Sequence, residues 1–279
     1  MSELLIPITA ETHGWFDSHC HFDFEALDAD RDSDWPLARR LGVRGGMIPG
    51  VSHSLSHHLP QFTARWPGWY FAAGLHPYWC NEHQPGHLHW LAEMAEHPRA
   101  VAIGECGLDK PLAQAGSIDL ETQWHWLRAQ LDIAEALQRP LVLHVRGFHD
   151  ELLAELRRRR FAHGGLVHAF SGSVQQGEKW HELGFCLGVG GAMTHPRATR
   201  LRQTLTQLPL TALLLETDAP DMPAAFWGRA TNSPVAIPLY GAALAALRGM
   251  EIPELRKALE QNLYRVFPRI TLNPSDNVG

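Results

Sequence analysis

Eight short apolar runs recur along the chain, each followed by a stretch that can form a helix. They are Trp15–Ser18, Gly46–Val51, Trp69–Leu75, Ala100–Gly104, Pro140–His144, Gly165–His168, Phe185–Val189 and Ala212–Glu216. Strands that alternate with helices pair in parallel, because a parallel neighbour is reached only through a long crossover. Leu120–Leu137 is the clearest helix, with Trp124, Leu127, Leu131 and Ala134 at helical spacing. Leu152, Leu153 and Leu156 mark another and Leu239–Leu247 a third. Pro253–Tyr264 closes the series and opens on proline in its first turn. Eight such units in 279 residues predict an α/β fold of the (β/α)8 TIM-barrel type, whose usual size is about 250 residues.

Hydrophobic residues make up 45% of the chain, enough for one large core. Residues 1–272 are therefore read as a single barrel domain and 273–279 as a flexible tail. Pro220–Pro238, rich in proline, follows the eighth strand and reads as a long active-site loop. No run approaches the roughly 18 apolar residues that cross a membrane. Met1–Gly14 lacks the basic-then-apolar pattern of a signal peptide, so the expectation is a cytoplasmic protein without membrane association. The widely spread Cys20, Cys80, Cys106 and Cys186 are expected to be reduced thiols. A formal net charge of -6 gives no general attraction for nucleic acid, so a polyanion must be held locally. A DNA-coating role is excluded on that ground, and no obligate protein partner is inferred.

Five of the runs end in side chains of metal-ligand type. His19 and His21 flank Cys20 after the first run, and Glu105 follows the fourth. His144 closes Leu141-Val-Leu-His, His168 closes Gly165-Leu-Val-His, and Asp218 follows the eighth run. Residues i and i+2 of a strand share a face, so His19 and His21 can grip one cation while Cys20 turns away. Each signal alone has a plainer reading. With 18 histidines in the chain a single HxH is weak, and a lone strand-end histidine or acid more often bonds backbone or caps a helix. The joint pattern decides, because TIM barrels gather their active groups at the C-terminal strand ends. Strands one, four, five, six and eight together supply four imidazoles and two carboxylates. That set suits two closely spaced divalent ions, with Glu105 placed to bridge them.

These residues stand in longer motifs. They run from Phe16-Asp-Ser-His-Cys-His21 through Gly74-Leu-His-Pro77, Ile103-Gly-Glu-Cys-Gly-Leu-Asp109 and His144-Val-Arg146. Beyond them lie His168-Ala-Phe-Ser-Gly172, Glu216-Thr-Asp-Ala-Pro220, Asn232-Ser-Pro234 and Asn262-Leu-Tyr-Arg-Val-Phe267. In these the chain resembles the TatD family of metal-dependent deoxyribonucleases, amidohydrolase-like TIM barrels, over nearly its whole length. It departs from the family pattern at Lys110-Pro111, where aromatic residues are frequent, and at Cys106, where isoleucine is favoured. Wider relatives bridge their metals with a carboxylated lysine on strand four. Here Lys110, Lys179 and Lys257 are the only lysines, none ends a strand, and Glu105 takes the bridging place.

The resemblance implies a divalent-metal-dependent hydrolase, a deoxyribonuclease that trims DNA from a free end. The expected cofactors are two divalent ions per chain, Zn2+, Mn2+ or Mg2+, although the last prefers more oxygen ligands. His19, His21, Glu105 and Asp218 are assigned to one ion, and Glu105, His144 and His168 to the other. Asp218 is the expected general base toward the attacking water, with Glu105 as its catalytic companion. His76, Arg146, Arg229 and Asn232 are the expected substrate-binding residues. The same centre also suits a carbonyl carbon, so the alternative is an ester or amide hydrolase such as an aminoacyl-tRNA deacylase. A non-catalytic metal-binding barrel is the third reading, disfavoured because every ligand position is filled.

Other signals carry less. Arg157–Arg160 covers all sides of a helix and reads as a solvated face. Asp28, Asp30, Asp32 and Asp34 alternate as in a calcium loop, but Ser33 and Arg39 stand where that loop requires glycine and glutamate.

Overall fold

The computed structural model describes residues 14–272. The 273–279 tail and nearly all of the segment read for a signal peptide lie outside the described residues. Eight strands form one sheet: β1 Trp15–Asp17, β2 Val43–Pro49, β3 Trp69–Ala73 and β4 Ala100–Asp109, then β5 Leu141–Arg146, β6 Gly165–Val167, β7 Phe185–Val189 and β8 Leu213–Leu215. They are hydrogen-bonded in sequence order, each parallel to the next. The sheet curls back on itself where the Ser18 amide donates to Leu215 O (2.9 Å) and the Asp218 amide to His19 O (2.9 Å). This is the (β/α)8 barrel that the alternation predicts.

The expected strand ends are close except on β4, where the sequence predicts a stop at Gly104 and the strand runs on to Asp109. Ile103 pairs with Leu141 and Cys106 with Leu143, so two β4 residues stand opposite the single residue Val142. Such a bulge re-aims a side chain without ending the strand. The side chain re-aimed is Glu105, and pairing then resumes from Cys106 to Asp109. Gly104, at φ +139°, could not carry a side chain here, because a Cβ would lie 2.3 Å from Val142 O.

Alternation along the strands separates two apolar clusters. Phe16, Met47, Ala72, Val142, Leu166, Cys186 and Leu214 pack together with Leu263 and Val266 of the closing helix, Ile252–Val266, and with Phe267 just beyond it. The larger cluster joins the other strand residues to the surrounding helices. Two residues beyond Val142, Leu166 and Leu214 on the same strand face come His144, His168 and Glu216, so the inner face changes from apolar to polar toward the C-terminal ends.

The helix Leu120–Ala136 starts on Asp119, whose carboxylate accepts from the Thr122 amide at 2.7 Å. It buries two glutamines as well as its apolar face. Gln130 exchanges hydrogen bonds with both backbone groups of Leu75 (2.8 and 2.9 Å), and Gln123 accepts from the Asp109 amide (2.7 Å). These side-chain amides satisfy strand-end backbone groups that leave the ladder, and so hold the chain beside His76 and Asp109. Arg157, Arg158 and Arg160 are exposed, in keeping with a solvated charged face, whereas Arg159 turns inward to pair with the buried Glu155 and with Asp132. Asp28–Arg40, read above only as alternating acids, is a helix. Among the described residues all four cysteines are buried and free, and no single helix is long and apolar enough to cross a membrane.

Candidate metal centre

The chain bends at Ser18 and His19 as it leaves β1, and Cys20 and His21 follow. The Cys20 amide donates to Met47 O on one side and the His21 amide to Ala219 O on the other. Both imidazoles therefore turn to the barrel axis, while Cys20 packs in the hydrophobic core.

At the axis stands Glu105, only 2% exposed, with five imidazoles round its carboxylate. Oε1 lies 3.1 Å from His144 Nδ1, 3.2 Å from His76 Nε2 and 3.5 Å from His168 Nε2. Oε2 lies 3.1 Å from His19 Nε2 and 3.9 Å from His21 Nε2. Asp218 Oδ1 faces His19 Nε2 at 3.5 Å, His21 Nε2 at 3.7 Å and His168 Nδ1 at 3.9 Å. All six sequence-predicted ligands thus converge. With His76 added, the donor atoms fall within 4.8 Å of one another in three groups: His19, Glu105 and His168; His19, His21 and Asp218; His76, Glu105 and His144. His76, expected against substrate, stands inside the donor cluster.

The donors suit divalent cations. His19 Nε2, which faces both Glu105 and Asp218, is buried and makes no hydrogen bond, a costly arrangement unless a cation uses its lone pair. Burial pushes His19 down to about 4 and His21 to about 3, which keeps them neutral, the form that binds metal. Burial would lower His168 too, but Glu105, Asp218 and Glu216 carry it up to about 10. A positive charge is favoured there. Burial alone would raise Glu105, yet His76, His168 and His19 hold it well below the usual carboxylate range. Asp218 goes the other way, to about 7, through burial and the nearby Glu105 and Glu216 charges, partly offset by His168.

Three acids that the sequence reading gave no role support the cluster. Asp109 is fully buried and bonds His144 Nε2 through Oδ2 at 2.9 Å, while its Oδ1 accepts from the Leu112 amide. Glu216 Oε1 accepts from the Ala169 amide at 2.6 Å and lies 3.4 Å from His168 Nδ1. Carboxylates behind histidine ligands set ring orientation and raise ligand basicity. Glu216 has room only because residue 188 is glycine: a Cβ there would meet Glu216 Oε2 at 1.9 Å. Asp17 accepts from the Thr217 amide (2.9 Å) and hydroxyl (2.6 Å), tying β1 to the chain after β8. The motifs contained all three residues, but only their contacts reveal what they hold. Ala169 and Asp218 adopt φ of +45° and +56°, values uncommon outside glycine and often found at functional sites.

Of the expected substrate-binding residues, Arg146 stands at the mouth, 61% exposed, with Nη1 3.8 Å from Asp109 Oδ2. Two others require correction. Arg229 is bound by Asp34 (2.9 Å) and Asp30 (2.6 Å) of the helix Asp28–Arg40, because two carboxylates one helical turn apart make a ready partner for its guanidinium. Asn232 is fully buried; its Nδ2 donates to Thr217 O and Asp221 O at 2.9 Å each. Asn232 therefore shapes the loop after β8 rather than lining its opening, while Arg229 remains 37% exposed within its ion pairs.

An eight-stranded parallel barrel with buried imidazoles and carboxylates at its C-terminal end defines a metal-dependent hydrolase. Comparison with known proteins places it further. The sequence matches the family described as TatD related DNase over residues 16–268, and the chain belongs to that family. It is 36% identical over 255 residues to the uncharacterized metal-dependent hydrolase YjjV of Escherichia coli, covering 91% of this chain and 97% of that one. The crystal structure of YjjV, described as a TatD homolog, matches with a TM-score of 0.85 at 35% identity, over 91% of this chain and 98% of the other. The 3'-5' ssDNA/RNA exonuclease TatD of Erwinia billingiae is 33% identical over 246 residues, 85% of this chain and 93% of its own.

Proposed function

We propose that the chain, with residues 1–272 as one catalytic domain, hydrolyses phosphodiester bonds at the free end of single-stranded DNA, using a centre that holds two divalent cations. The observation that carries this reading is Glu105, one buried carboxylate with imidazoles against both oxygens. His19, His21 and Asp218 would hold one cation and His144 and His168, joined by His76, the other, with Glu105 shared. Bound there, the cations would polarise the phosphoryl oxygens and lower the pKa of the attacking water. Asp218 turns Oδ1 to the imidazoles, which leaves Oδ2 to accept the water proton. Asp109 and Glu216 keep His144 and His168 oriented. Arg146, exposed at the mouth, can pair with a phosphate oxygen. The Erwinia relative's name, an exonuclease of single-stranded DNA and RNA, supports a nucleic-acid substrate.

The test is turnover of end-labelled single-stranded DNA by chelator-stripped protein, with Mg2+, Mn2+ or Zn2+ restored in turn. Metal-dependent shortening, absent in Glu105→Ala, is the expected result. No shortening with any ion would overturn the nuclease reading and turn attention to ester and amide substrates, aminoacyl-tRNA first.

Glu216→Gln gives a second check on the centre. Loss of the carboxylate behind His168 is expected to weaken metal retention by about 10–100-fold, measured by competition with a chromogenic chelator. Unchanged retention would remove Glu216 from the centre.

A further inference from the structure

A cavity of about 400 Å³ opens beside the metal centre, with His144, His168 and Asp218 on its wall. Its volume lies in the range of pockets that take small ligands, roughly 300–1,000 Å³. Two features distinguish its lining. Arg146 is the only lysine or arginine in it. Tyr78 and Met222 also line it, 46% and 38% exposed, and they are two of the five large hydrophobic residues exposed among the described residues. Singly exposed apolar side chains are ordinary; two of them in one cavity wall next to a cation suggest a flat, anionic ligand.

The Tyr78 ring is held in place. It stands perpendicular to His76 (centroids 4.6 Å apart) and at 70° to His144 (5.6 Å). Its hydroxyl donates to Asp109 Oδ2 at 3.4 Å, the same oxygen that lies 3.8 Å from the Arg146 guanidinium. One buried carboxylate therefore sets the aromatic ring and the cation side by side. Phe170, Leu201 and Met222 supply apolar wall.

We propose that this cavity is a subsite for the terminal nucleobase of the substrate, with Tyr78 as its stacking face and Arg146 meeting the adjoining phosphate. The proposal rests on the phosphodiesterase reading and names the group the site accepts next to the scissile bond. An aromatic ring takes any base, because every base has a π face. Among the described residues Ser171 is the only neutral side chain besides Tyr78 that brings a hydroxyl or amide to the lining, so the flat face is recognised rather than base identity.

The experiment is equilibrium binding of two compounds to Mn2+-loaded protein by titration calorimetry: deoxyadenosine 5'-monophosphate and deoxyribose 5-phosphate, which lacks the base. Wild type is expected to bind the nucleotide about tenfold or more tightly, as one stacked base would give. Tyr78→Ala should erase most of that ratio and Tyr78→Phe should keep it. Arg146→Ala should weaken both compounds and leave the ratio standing. Equal affinities in wild type, no binding of either compound, or a ratio that survives Tyr78→Ala overturns the subsite. DNA shortening by the same preparation judges the nuclease reading separately. Equal affinities with DNA shortened would reject the subsite alone, whereas a preference for the nucleotide without shortening would reject only the nuclease.

Discussion

Glu105→Gln is expected to lower DNA turnover by at least about 10³-fold, the upper end of what one preorganised charge commonly contributes, and to release the bound cations. The substitution keeps the side chain's shape, so packing of this 2% exposed residue is nearly undisturbed. What changes is charge and valence: an amide presents two N–H groups where an oxygen had faced His76, His144 and His168 or His19 and His21. Metal content after gel filtration, measured by plasma mass spectrometry beside single-turnover rates, separates the two effects. A Glu105→Gln protein that keeps two metals per chain would show that the imidazoles hold them without the shared carboxylate, and the proposed centre would be wrong.

Asp218→Asn should behave differently. General-base catalysis is worth about 10²–10⁴-fold, and that loss is expected in kcat at saturating Mn2+ with KM little changed. The reason is positional. Asp218 lies at the cavity wall with one oxygen toward the imidazoles, so under this proposal its other oxygen would meet the attacking water, whereas substrate affinity is expected to come from Arg146 and the apolar lining. Equal losses in kcat and in affinity would reduce Asp218 to a ligand and leave the proton without its acceptor.

How much of this was legible beforehand varied with the range of the interaction. His144 and His168 could be found because each closes an apolar run, and a strand's period of two continues the face of Val142 and Leu166 onto them. His19 and His21 were visible through the same period. The sequence places the end of β4 too early because a buried acid after glycine looks like a strand terminus; the bulge opposite Val142 lets pairing continue to Asp109. Arg229 and Asn232 follow the last predicted ligand closely in sequence, which suggested the mouth. Asp30, Asp34 and the carbonyls of Thr217 and Asp221 claim them instead.

Local order in the sequence determined the barrel and the ligand types, because strand period, helix period and the identity of strand-end residues are short-range properties. Only the tertiary structure decided that five imidazoles share one carboxylate, that Asp109 and Glu216 stand behind His144 and His168, and that Tyr78 and Arg146 lie together. Those contacts join residues up to 86 positions apart, as His19 and Glu105 are. Nothing in the spacing of one strand says which side chain of another will reach it. Closure of the sheet makes that selection, by bringing every strand end to one rim.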